Sequence, residues 1–434
     1  MADLAKGAVL KTCGGKTVKL KEKLGEGGQG AVYKVDYSGK PKALKWYTRL
    51  RNEKEFYKNL ENNIRKGAPA PEFLWPLDIT EKTQAAFGYI MDLRPDDYKD
   101  FSRFLLAKEH FASVTAMVNT ALHITAGFRS LHKGGYSYQD LNDGNFFVHP
   151  KTGDVLICDN DNVAEYGVNL GIAGKCRYIA PEIVLGKALP DVNTDKFSLA
   201  VVLFLLLFYN HPLEGKKAYP PCMTEEIEKR IYGSVPVFIF DPADDSNRPV
   251  QGLNNNALRR WPLFPGYIRE KFTEAFGKEA LMNPAARVIE KEWLKTFTRL
   301  RSEIYKCACG EVLFAAADGS STCPACGKKQ EFDMGIEIGK TRIAVHRKTK
   351  LFACHTDDAS DDFLTMTAEV RHNSETGLFE LKNCSQKTWL VIDKTGKQKS
   401  CTKGKMVALE KGISGLRRGR FSASSGSSNS WILQ

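Results

Sequence analysis

The stretch from Tyr136 to Asp161, YSYQDLNDGNFFVHPKTGDVLICDND, constrains this chain more than any other. Asp140 and Asn145 stand in a D-x-x-x-x-N spacing, and Asp159 follows the apolar, strand-like run VLIC. Phosphoryl transfer needs a carboxylate near the attacking hydroxyl and oxygen ligands for a Mg²⁺ (or Mn²⁺) that bridges the phosphates. Asp140 suits the first role, and Asn145 and Asp159 the second. A single Asp is more often a turn or cap residue, but the full ordered set is hard to obtain by chance.

Upstream, LGEGGQGAVYKV sets Gly25, Gly27 and Gly30, with Gly28 between them, in a G-x-G-x-x-G pattern that runs into Val32. Glycines let a backbone approach phosphates closely and offer N–H groups to them. A dinucleotide-binding turn would open a helix here, whereas AVYKV alternates like a strand, which favours a glycine-rich hairpin over ATP. Lys45, in the strand-like ALKWY, can reach the α- and β-phosphates if a carboxylate orients it. Glu53 is the expected partner and Glu55 the second choice; plain surface solvation of both is the competing reading.

The 434 residues suffice for two or three domains of ordinary soluble composition. Eleven cysteines are too few for a disulfide scaffold, and four of them cluster at metal-ligand spacing, which points to a reducing compartment. The start, MADLAKGAVL, lacks a signal-peptide pattern and the glycine that myristoylation needs, and the apolar run LAVVLFLLLFY is too short to span a bilayer. A cytoplasmic protein without a membrane segment is expected. The net charge of +12 is uneven: ten Lys or Arg stand against Asp393 and Glu410 between Lys387 and Arg420. That patch reads as a solvated basic face or as a surface for nucleic acid, lipid or an acidic partner.

Short alternating runs broken by glycine fill residues 16 to 50, followed by a charged helical stretch and further strands to AAFGYIMDL. Residues 101 to 300 read as mainly helical, 304 to 330 as a cysteine-bearing segment, and 334 to 421 as strands recurring as in a small β-sandwich. The final SASSGSSNS is low-complexity and reads as disordered. Its serines, Ser422, Ser424, Ser425, Ser427, Ser428 and Ser430, form either an autophosphorylation target or an inert tail.

With these motifs in hand, residues 16 to 302 resemble the protein kinase superfamily. The APE at Ala180–Glu182, the TDKFSLAVVLF helix and NPAARVIEKEWL extend the likeness. It implies an α+β bilobal fold, with an N-lobe over 16–93 and a C-lobe over 94–302. It implies an ATP site bordered by Ala43, with Met91 as gatekeeper and Asp92, Leu93 and Arg94 as the hinge. It also implies that Asp195 is a buried capping aspartate and that Arg287 pairs with Glu182. More narrowly, NFFVHPKTGDVLICDNDNV and the HPLEG at His211 resemble bacterial kinases of tellurite-resistance and stress gene clusters. Those kinases are found beside metal-dependent phosphatases and von Willebrand-type proteins, so these become expected partners besides ATP and a protein substrate.

Three departures carry predictions. Gln139 replaces the arginine that usually grips a phosphorylated activation loop, and no Ser or Thr lies between Asp159 and Glu182. Activity without activation-loop phosphorylation is therefore expected, as a non-RD kinase. Asn142 stands where Ser/Thr kinases carry a lysine, while Lys175 stands where they carry a threonine, so a relocated cation is expected to face the transferred phosphate. Asp159-Asn160-Asp161 replaces Asp-Phe-Gly; Asp161 reads as a turn cap, with an added carboxylate near the metal as the alternative.

Cys307, Cys309, Cys323 and Cys326 read as a structural zinc ribbon over 303–330. Within 331–422, LKNCSQKTWLVI and KGKMVALEKGI resemble the later strands of forkhead-associated domains, with 423–434 as the tail. The leading reading is an Mg-ATP-dependent protein kinase acting on Ser/Thr. A pseudokinase scaffold is the runner-up, and a nucleic-acid-binding protein using the ribbon and the basic segment is the third reading.

Overall fold

Alternation of apolar and polar residues over the first ninety positions builds one antiparallel sheet with two covered faces. Its strands are β1 (Val9–Lys11), β2 (Thr17–Glu26), β3 (Gly30–Tyr37), β4 (Lys40–Tyr47), β5 (Asp78–Ile79) and β6 (Gly88–Met91), ordered β1-β2-β3-β4-β6-β5. Side chains two apart on a strand share a face. Tyr33 and Val35 of β3 and Leu44 and Trp46 of β4 therefore join Val18, Leu20 and Ile90 in one buried cluster. Ala43 and Tyr47 face the other way with Tyr89 and Met91, against Phe56 and Leu60 of helix α1 (Glu53–Lys66). Lys45 lies between Ala43 and Tyr47 on that second face. At Gly30 a Cβ would stand 2.0 Å from the Trp46 carbonyl oxygen, so glycine is what lets β3 and β4 close beside the glycine-rich turn.

This is a computed structural model, and it describes residues 4–47, 53–82, 86–171, 174–315, 320–332, 334–339, 341–357, 359–392, 397–409, 416–417 and 430–433. The chain divides into two compact units, Met1–Arg260 with Glu270–Glu290, and Trp261–Arg269 with Lys291–Gln434.

The helical part of the first unit is built on two long helices. Val114–Lys133 is capped by Ser113, whose Oγ accepts from the Ala116 N–H at 3.1 Å. Val192–Phe208 carries the apolar run and is buried on nearly every side. Among the described residues no helix is long and apolar enough to cross a membrane. Two short strands, Phe146–Val148 and Val155–Ile157, pair antiparallel with Phe146 opposite Ile157. That register brings Asn145, just before the first strand, and Asp159, just after the second, to the same end of the hairpin.

In the second unit two hairpins come first, Ile304–Lys306 with Val312–Phe314 and Ser320–Thr322 with Lys329–Glu331. The strands from Gly335 onward form three further sheets. Ile336, Ile343, Leu351, Val370, Leu381, Trp389 and Val391 from those strands meet in one buried cluster. The helix Glu290–Ser302, expected to close the kinase-like domain, goes beyond its first residue with this unit instead. Its Thr298 Oγ1 and Arg301 Nη2 donate to the Phe363 carbonyl oxygen at 3.3 and 2.7 Å, which is what ties it there.

The expectation of a disordered tail needs correcting at its end. Ser430–Leu433 is a strand, paired in parallel with Gly335–Ile338, because the backbone of an edge strand is satisfied by any extended partner in register. The remaining serines of the cluster, Ser422 to Ser428, lie outside the described residues. So do Asp393, Lys394, Glu410, Lys411, Arg418 and Arg420 of the basic segment.

Candidate active site

The second face of the sheet and the end of the 146–157 hairpin supply the walls of one cavity of about 880 Å³. Gly25, Gly27, Gly28, Gly30 and Val32 form its roof. Ala43, Met91, Asp92 and Leu93 line it from the strands behind, and Asp140 and Asp159 from below, with Lys45 between. The sequence-predicted nucleotide residues thus border a single space large enough for a nucleotide.

Lys45 sits 8 % exposed, and its ammonium does not go to α1. Its Nζ donates to Asp161 Oδ2 and Oδ1 at 2.8 and 3.0 Å and to Asp159 Oδ1 at 3.1 Å. Burial alone would lower the Lys45 pKa, but the two carboxylates outweigh it and hold the ammonium charged. Two expectations are corrected here. Glu53 pairs with Lys82 at 3.1 Å, and Glu55 is exposed, because the first turn of α1 points toward solvent and the β5–β6 connection. Asp161 is no turn cap: it is fully buried, and Tyr47 Oη and Tyr89 Oη also donate to it, at 2.7 and 3.3 Å.

The metal-side residues are held by their own backbone. Asp159 adopts a left-handed conformation (φ 55°) at the head of a short turn, Asn160–Asn162. Asn160 Nδ2 pins that turn by donating to the carbonyl oxygens of Leu74 and Ile157 at 2.9 and 2.8 Å. Asn145 Nδ2 lies 3.5 Å from Asp159 Oδ2, and Asn145 Oδ1 accepts from the Asn142 N–H at 2.7 Å. A half-exposed carboxylate with an amide side chain beside it is the residue pair that a hard cation such as Mg²⁺ uses, although here the amide turns its nitrogen to Asp159 and its oxygen to Asn142.

Asp140 is braced from below. The Asp195 carboxylate accepts the backbone N–H groups of Tyr138 and Gln139 at 2.6 and 3.1 Å, fixing the turn that presents it. Burial and then the charge of Asp159 push the Asp140 carboxyl up to about 6, against the pull of Lys175 and a bond from Asn142. Lys175 Nζ donates to Asn142 Oδ1 at 2.7 Å, so the two residues that depart from the usual pattern touch each other. Arg287 makes a two-pronged contact with Glu182, Nη1 to Oε1 at 2.8 Å and Nη2 to Oε2 at 2.7 Å.

Three participants play parts that the sequence does not give, and one of them, His132, goes unmarked there. Gln139 Nε2 donates to the Val168 carbonyl oxygen at 2.6 Å, so a neutral amide holds the segment that an arginine and a phosphate would otherwise hold. His132 links Asp195 and Glu290, at 3.2 and 2.6 Å. Asp161 was visible as a second acid in DND, but nothing in the sequence marks it as buried.

In the second unit, the two hairpin tips hold Cys307 and Cys309, and Cys323 and Cys326, with all four sulfurs within 4.8 Å of one another. Gly310 and Gly327 follow the two pairs with φ of +100° and +69°, the left-handed turn that a metal knuckle needs. The Cys307–Cys326 and Cys309–Cys323 separations are 3.8 and 3.6 Å. A tetrahedron of thiolates at Zn–S distances of about 2.3 Å has edges of about 3.8 Å, so the four thiols fit zinc.

Comparison with known proteins agrees with this geometry. Protein kinase YegI of Escherichia coli strain K12 is 23% identical over 364 residues, covering 75% of this chain and 52% of the relative. Its counterpart in E. coli O157:H7 is 24% identical over 240 residues, 51% of this chain and 35% of the relative. A probable serine/threonine-protein kinase from Zea mays, CCRP1, is 30% identical over 97 residues, 21% of this chain and 15% of the relative. The chain spans about half or less of the length of these curated relatives. A family model for the protein kinase domain matches residues 18–255, more than half of the chain. With a lysine, a glycine-rich roof and two aspartates around one cavity, and a family match over this length, the chain is a member of the protein kinase family.

Proposed function

We propose that the protein transfers the γ-phosphate of Mg-ATP to a protein hydroxyl, with Ser/Thr favoured. The observation that carries this reading is the convergence of Lys45, Asp140 and Asp159 on one nucleotide-sized cavity, with Asn145 against Asp159. Lys45 would hold the α- and β-phosphates, while Asn145 and Asp159 would hold the metal, which neutralises charge developing on the phosphates. Asp140 would orient the substrate hydroxyl and take its proton. Lys175 would supply the cation that Asn142 lacks; its contact with Asn142, beside Asp140, supports this. Gln139 bound to Val168 supports activity without activation-loop phosphorylation.

The zinc ribbon would brace the second unit, and the strands beyond it would form a forkhead-associated-like module for docking or regulation. A cytoplasmic site suits four reduced thiols. A role in bacterial stress or tellurite-resistance signalling, opposed by a metal-dependent phosphatase and assisted by a von Willebrand-type protein, completes the reading. The test is incubation with Mg²⁺ and γ-labelled ATP beside Lys45→Ala and Asp140→Ala. Label on wild type that vanishes in both variants supports transfer; bound ATP without label would move the function to a scaffold.

A further inference from the structure

Beside the nucleotide cavity, the kinase reading leaves the buried carboxylate of Asp161 without a role. Asp161 is inaccessible to solvent and receives Lys45 on both oxygens, Tyr47 on one and Tyr89 on the other. All three donors belong to the sheet: Lys45 and Tyr47 are two apart on β4, and Tyr89 on β6 stands opposite Lys45. What α1 brings to this segment is amide rather than carboxylate. Asn59 Nδ2 donates to the Val163 carbonyl oxygen at 2.7 Å and reaches that of Asp161 at 3.5 Å; Asn63 Nδ2 donates to Val163 at 2.9 Å. Asp159 also touches Lys45, but its side chain is 43 % exposed toward the cavity, where a metal ion would draw it away. Asp161, closed in by two tyrosines, stays.

We infer that Asp161 positions Lys45 for the phosphates of Mg-ATP, in the place that a helix-borne glutamate holds in most kinases, so that the lysine is set by the sheet and the metal loop and not by α1. This rests on the ATP site proposed above. Without Asp161 the buried ammonium would have Asp159 as its remaining carboxylate and would compete with the metal for it.

The test uses the full chain and two readouts. One is acylation of Lys45 by an acyl-phosphate derivative of ATP, mapped by peptide mass spectrometry; the other is kcat and KM for Mg-ATP in transfer to casein. Asp161→Asn, which keeps the shape, should lose about tenfold or more of the acylation and about 100-fold of kcat, with KM moving less than about fivefold. Glu53→Gln, on the exposed side of α1, should leave both within about twofold. Asp161→Asn with unchanged acylation, or Glu53→Gln falling with it, would overturn the assignment. Wild type that is acylated yet transfers nothing would defeat the kinase reading while the acylation comparison still decides Asp161. Wild type left unacylated at Lys45 would defeat both.

Discussion

Asp140 is held where its charge changes within the physiological range. Burial and Asp159 raise its carboxyl to about 6, and a base must be ionised to accept a proton. The rate of transfer should therefore climb through an acid limb near pH 6, read from kcat/KM against pH. Lys175 pulls that carboxyl down, so Lys175→Ala should move the limb upward and slow the plateau about tenfold or more. An unchanged profile would remove Lys175 from the site. Asp140, Asn145 and Asp159 were legible because their spacing follows from one loop and one hairpin, which are local in sequence. Asp161 was not, because the tyrosines that bury it come from 114 and 72 residues away. Glu53 lies in a stretch that reads as helical, but a helical pattern alone does not say that its first turn faces away from Lys45.

His132 stands in the last turn of Val114–Lys133, between two carboxylates of the first unit. Its Nδ1 faces Glu290, its Nε2 faces Asp195 at the start of Val192–Phe208, and its side chain is nearly buried. Burial opposes the charge, but the two carboxylates outweigh it and raise the imidazole from 6.5 to about 9. A raised pKa in the folded state stabilises it fully below 6.5 and loses that contribution as pH climbs to about 9. Urea denaturation should show stability falling by about 3 kcal/mol across that window, and His132→Gln should flatten the slope. A wild-type curve already flat from 6.5 to 9 would refute the bridge. The sheet of the first unit was readable from alternation and glycine, and the buried helix from its apolar run. Ser430–Leu433 was not: its partner lies some hundred residues upstream, and low complexity hid an extended strand.

Across the whole molecule, the cysteine arrangement predicts a metal before any ion is added. Purified protein should carry about one zinc per chain, and chelation should open residues 304–331 to limited proteolysis. Protein that stays metal-free under reducing conditions and still resists proteolysis would contradict this. The order of the kinase-like part, the cysteine segment and the strand-rich part was plain in the sequence because each has its own period. Where one ends and the next begins was not, since a helix such as Glu290–Ser302 reads the same whichever neighbour it packs on.

That boundary has a practical edge. The two units are interleaved along the chain, each owning a piece of sequence on the far side of the other's border. A fragment stopped at residue 255, where the family match ends, would be shorn of Arg287 and so of the clasp on Glu182. One stopped at 290 would keep Arg287 but leave 261–269 without its partners, since Phe264 stacks on Phe314 and Tyr267 Oη donates to Glu303 Oε2 at 2.6 Å. No single pair of scissors yields a clean half, so a recombinant catalytic core of this protein is better sought by point substitution than by truncation.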